Sequence, residues 1–127
     1  MKKYLIILLL LLNITGCTEN DTNESKLIKN GYEKREYSTM TTYSAKKLQF
    51  TFFKEESAVL ISYEDDEITA TINTNKKDII NSYECELNYK SGEYDNSCTE
   101  EKVEKLKEVK TLIDNEIIKL ELQLELN

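Results

Sequence analysis

The sequence predicts an α+β fold: a small antiparallel β-meander of four or five strands with a C-terminal amphipathic helix packed on one face. Three observations carry this reading. Apolar residues recur with period two through residues 47–89, short polar turns separate the runs, and the apolar spacing lengthens to that of a helix after residue 99.

The strands are read in chain order from Tyr32 onward. Leu48, Phe50 and Phe52 share one parity within residues 47–54, and residues 58–63 form a β-branched and aromatic run. Ile68, Ala70 and Ile72 then share a face, as do Tyr83, Cys85, Leu87 and Tyr89. Such alternation with Val, Ile, Thr, Tyr and Phe marks half-buried strands. The intervening Lys54-Glu55-Glu56-Ser57, Glu64-Asp65-Asp66 and Asn73-Thr74-Asn75-Lys76-Lys77-Asp78 are turn-like, so successive strands are expected to be neighbours.

The C-terminal segment has the period of a helix. Val103, Leu106, Val109, Ile113, Ile117, Leu120 and Leu124 fall on one stripe of a wheel turned by about 100° per residue. Thr99, or Ser97 with Glu100, supplies an N-cap, and acidic residues follow where the helix dipole favours them. Leu120, Leu122, Leu124 and Leu126 also alternate strictly, which fits a strand over residues 117–126. Leu, Glu, Gln and Lys are helix formers, so one continuous helix is the expectation.

The N-terminus is of a different kind. Met1-Lys2-Lys3 is basic, and Leu5 to Leu12 is an unbroken apolar run of eight. A bilayer core takes about 20 apolar residues to cross, so this run is too short to span but suits the apolar region of a signal peptide. Ile14-Thr15-Gly16-Cys17 follows and resembles the lipobox of bacterial lipoproteins. The resemblance covers these four residues and the segment before them. It implies cleavage after residue 16, a diacylglyceryl group on the Cys17 sulfur, and Cys17 as the new N-terminus. Two acyl chains, at about 0.8 kcal/mol per buried CH₂, anchor stably where one is marginal. The expected organisation is a signal peptide over residues 1–16, a lipidated cysteine with a flexible polar stalk over 17–30, and one α+β domain over 31–127. The expected location is the outer face of the cytoplasmic membrane, or the outer membrane of a Gram-negative cell.

Removing residues 1–16 takes away two lysines, leaving 15 basic against 24 acidic residues and a net charge of −9. A domain this acidic is repelled by phosphate backbones and anionic headgroups, which argues against nucleic acid as a partner. The chain has no His, so it lacks the commonest general base and zinc ligand; no cofactor, metal site or catalytic residue is expected. Glu64-Asp65-Asp66-Glu67 is the densest acidic cluster, but it lacks the alternating spacing of a calcium loop and reads as a solvated turn.

With Cys17 set apart, Cys85 and Cys98 remain as an even pair in an exported chain, where disulfides persist. A two-residue hairpin loop at Ser91-Gly92 would pair Lys90 with Glu93, Leu87 with Asn96 and Cys85 with Cys98. The last pair would fall on a non-hydrogen-bonded site with Cα atoms about 4.5 Å apart, within disulfide reach.

The eight tyrosines are the remaining signal. Exposed Tyr is favoured at recognition surfaces, while buried Tyr would fill the core edge of a small β domain that lacks Trp. The functional expectation is a membrane-tethered, non-enzymatic module presenting a sheet surface to an envelope protein. The alternative is a small envelope enzyme that uses carboxylate and tyrosine residues.

Overall fold

The computed structural model describes residues 22–83 and 85–124. The signal segment, Cys17 and the first part of the expected stalk lie outside the described residues. Among the described residues the fold is α+β, with seven antiparallel strands rather than four or five. The strands are β1 (Glu33–Glu36), β2 (Met40–Ala45), β3 (Leu48–Phe53), β4 (Val59–Glu64), β5 (Thr69–Asn73), β6 (Ile79–Ser82) and β7 (Cys85–Asn88). They pair in strict sequence order, so the sheet is a meander without a crossover. Helix α1 (Asn23–Lys29) precedes the sheet and helix α2 (Glu100–Leu120) follows it.

Register aligns the core into a single row. Tyr43 pairs with Phe50, Phe50 with Ile61, Ile61 with Ile72, Ile72 with Ile80, and Ile80 with Leu87. All six are at most 1 % exposed. Because side chains alternate across a strand, these residues and their i±2 neighbours define one buried face. Full burial of one such side chain stabilises by about 1.5–3 kcal/mol relative to exposure. Helix α2 lays Val103, Leu106, Val109, Ile113 and Leu120 on this face, as its stripe predicts.

Helix α1 is a correction to the sequence reading, which places residues 22–30 in the flexible stalk. The Thr22 hydroxyl accepts from the Ser25 amide and Ser25 reaches back to the Thr22 amide, a reciprocal N-terminal cap. Leu27 is fully buried, and Tyr32 just beyond packs edge-on against Phe50 at 5.7 Å between ring centres. Two turns with one buried apolar residue leave no visible period, which is why the polar composition misled.

The other differences have local causes. Strand β1 is Glu-Lys-Arg-Glu and wholly exposed, so it carries no apolar alternation. Strand β6 has only four residues, with Ile79 and Ile80 adjacent. Tyr83 does not share the face of Cys85, because the β6–β7 turn intervenes and leaves Tyr83 88 % exposed. The α2 helix begins at its Thr99 cap, whose Oγ1 accepts from the Lys102 amide at 3.1 Å. It stops at Leu120 because Glu121 adopts the left-handed conformation (φ 57°). The Glu121 and Leu122 amides then donate back to Ile118 and Ile117, closing the helix in a Schellman arrangement. Residues 122–124 are neither helix nor strand. Leu122 is buried, and the Asn23 carboxamide both donates to and accepts from the Gln123 backbone, at 3.0 and 2.6 Å. Both ends of the described chain therefore meet at one end of the sheet.

Candidate functional site

The pairing that builds the core row also builds its counterpart on the opposite face. Ser44 pairs with Gln49, Gln49 with Ser62, Ser62 with Thr71, and Thr71 with Asn81. Glu33 and Glu86 close the row at its two ends. Across five consecutive strands the row holds only hydroxyl and carboxamide groups, and at about 4.8 Å per strand it is about 19 Å long. Its members bond to one another: Ser44 Oγ donates to Gln49 Oε1 at 3.1 Å, and Thr71 Oγ1 donates to Asn81 Oδ1 at 2.6 Å. The next row runs through Thr42, Thr51, Leu60 and Asn73. Both helices and residues 122–124 pack on the core face, and among the described residues no helix covers this second one.

At its β5–β7 end the open face dips into a depression of about 560 Å³, lined by Thr69, Thr71, Asn81, Tyr83, Glu86 and Asp95 among others. Tyr83 stands at its margin with its ring in solvent. Lys76 pairs with Glu86 at the surface, where such a pair contributes little.

Cys85 and Cys98 lie beside this depression and are at bonding distance, with Cα atoms 4.9 Å apart. The pairing agrees with the sequence reading, but the hairpin register does not. Leu87 faces Tyr94 rather than Asn96, and the Asn88 amide donates to Glu93 O. The Asn88 side chain accepts from the Lys90 and Ser91 amides, so the connection is a capped loop of four residues, 89–92, rather than a two-residue turn. Cys98 reaches Cys85 through a further turn, in which its amide donates to Asp95 O at 2.9 Å.

The acidic cluster is built into the fold by one of its members. Asp65 accepts from Tyr63 Oη at 2.8 Å and from the Glu67 and Ile68 amides at 2.8 and 2.9 Å. Lys105 of α2 lies 3.3 Å from Asp65 and 3.4 Å from Glu67. The tyrosine hydroxyl above all, then the two amides and the lysine, hold the Asp65 carboxyl well below the usual carboxylate range. Asp65 is thus a fixed anion that ties the β4–β5 turn to the helix. Among the described residues, no group of three His, Cys, Asp or Glu side chains is placed to hold a metal ion.

The tyrosines divide between the two expected roles. Tyr32, Tyr43 and Tyr63 are buried, and burial raises the pKa of each. Tyr43 also donates to Glu24 of α1, which joins the short helix to the sheet. Tyr89 lies under the Lys110 ammonium, 4.2 Å from the ring centre. Tyr37, Tyr83 and Tyr94 are exposed, and of these Tyr83 lines the depression. Single-residue reading missed the hydroxyl and carboxamide row, since Ser, Thr, Asn and Gln form it only once five strands are in register. Cys17, the expected lipidation site, lies outside the described residues. No protein-family model, curated protein or solved structure matches the chain.

Proposed function

We propose that this chain is a lipid-anchored envelope protein, held through Cys17, that displays the open face of its sheet to a partner outside the membrane without catalysing a reaction. The observation that carries the reading is the asymmetry of the sheet, with one face packed under both described helices and the other crossed by an uninterrupted row of hydroxyl and carboxamide groups from Ser44 to Asn81. The edges favour the face as the working surface. Edge strand β1 is charged at every position, with Lys34–Glu36 and Arg35–Glu33 pairs at 3.8 and 3.7 Å, and charged edges resist strand addition. The β7 edge is occupied by the bridge to Tyr94 and the bond to Cys98.

The anchor gains a geometry from helix α1. Thr22 is locked as a cap and Asn23 is clamped to Gln123, so only five peptide steps separate Cys17 from the folded domain, a reach of about 17 Å. The 21-residue α2 alone is about 31 Å long. The lipid therefore holds the domain by the end where Asn23 and Gln123 meet, and the open face stands to the side of the attachment.

The reading is tested by fractionation and intact mass of the parent beside Cys17→Ser. Expected is a lipid-bearing parent in the membrane and an uncut or released variant; unchanged retention of the variant defeats the anchor. A photo-crosslinker at Ser62 on the open face, compared with one at Glu104 on α2, tests the surface. Equal products from the two positions would remove the open face as the display surface.

A further inference from the structure

The geometry points to a binding site for a neutral, hydroxyl-rich glycan chain on the open face, centred on the β5–β7 depression and continuing along the hydroxyl and carboxamide row. This deepens the reading of the open face as the working surface and is independent of the anchor. The chemistry of the lining selects the ligand class. Thr69, Thr71 and Asn81 offer hydroxyl and carboxamide groups that both donate and accept, which matches a ligand whose own hydroxyls do the same. Glu86 and Asp95 at the rim are acceptors without donors of their own, suited to hydroxyl protons and unsuited to phosphate or carboxylate. Tyr83, 88 % exposed beside them, supplies an aromatic face for the C–H surface of a sugar ring.

The volume of about 560 Å³ falls in the range of small-ligand sites. A chain rather than a single sugar is implied by the surroundings, because Ser62, Gln49 and Ser44 continue the same chemistry away from the depression, strand by strand. Competing ligands fit this end of the face less well. A nucleic acid or phosphorylated ligand needs cations, whereas the lining residues named for the depression include no Lys or Arg, and Lys76 is paired with the lining Glu86. A protein interface centres on buried aromatic or aliphatic anchors, whereas this row holds none between Ser44 and Asn81.

The test is a two-dimensional amide NMR titration of the purified protein with cellohexaose, with the hexamer of β-1,4-linked N-acetylglucosamine, and with a lysine-rich peptide. Expected are shifts at Thr71, Asn81, Tyr83 and Glu86 with at least one sugar, and none at α2. Tyr83→Ala should weaken that binding roughly tenfold, the loss of one aromatic contact, and Tyr83→Phe should retain it. Neither substitution touches the core, so an unchanged spectrum elsewhere separates loss of binding from loss of fold. Absence of shifts with both sugars at millimolar concentration overturns the proposal. Shifts at the same residues with the peptide alone also overturn it, in favour of a basic protein partner.

Discussion

The two faces of the sheet come from the same strands and differ in almost every physical respect. Phe50 and Gln49 are neighbours in β3, yet Phe50 is fully buried in a row of aromatic and aliphatic side chains while Gln49 is exposed in a row of hydroxyls and carboxamides. The contrast teaches that one decision, the register of the meander, made both surfaces at once. A one-residue slip of any strand would move its apolar set to solvent and its polar set to the core. The face that carries the energy of the fold and the face available for recognition are therefore tied together by the same hydrogen-bonded ladder.

Substitutions can break or sharpen this contrast. The largest effect is expected at the centre of the buried row, where Phe50→Ala should cost about 3–5 kcal/mol in denaturant unfolding. A loss below about 1 kcal/mol would mean that the row is not the core. Leu27→Ala is expected to cost about 2–5 kcal/mol if α1 is part of the sealed face. A stalk that merely rested near the domain would show almost nothing, so this measurement separates a helical lid from a tether.

Alkali should weaken the sealed face. Burial, then the neighbouring Glu116 charge, pushes Tyr32 up to about 12. A group whose pKa is raised on folding holds more protons in the folded state between the two values. Its contribution is full below about pH 10 and is lost as pH rises toward 12. Unfolding free energy followed across that window should fall, and Tyr32→Phe should lessen the slope; an unaltered slope would remove Tyr32 as a cause. The smallest effect is expected opposite Ile61, where Ser62→Ala should stay within about 0.5 kcal/mol of the parent by thermal unfolding. A cost comparable to that of Phe50→Ala would show that the open face also bears the fold.

How much was legible depended on how many neighbours a feature needs. The α2 stripe needs only its own helix, and its buried residues match the sequence expectation from Val103 to Leu120. The β3, β4 and β5 alternations need one covered face and were equally visible. Strand β1 needs a partner to become a strand at all, since Glu-Lys-Arg-Glu has no apolar side to announce it. The Cys85–Cys98 pairing was legible from parity of number and the expectation of export, whereas its loop was not. The turn depends on Asn88 capping two amides and on a second turn after Tyr94, neither of which a hairpin rule contains. The end of α2 was ambiguous because neither of the usual closing residues, Gly or Asn, stands at position 121.

The sequence by itself determined the class of the fold, the stripe of the long helix, the pairing of two cysteines, and the expectation of a lipid on Cys17. These follow from local periodicity, from counting, and from short motifs read along the chain. Only the tertiary structure decided that Thr22 to Asn30 belong to the domain, that residues 122–124 fold back onto Asn23, and that scattered Ser, Thr, Asn and Gln residues form one continuous row. The reason is physical. A helix stripe is written by residues three and four apart, whereas this row across the sheet joins neighbours from five to thirteen residues apart, and it exists only once every strand has found its register.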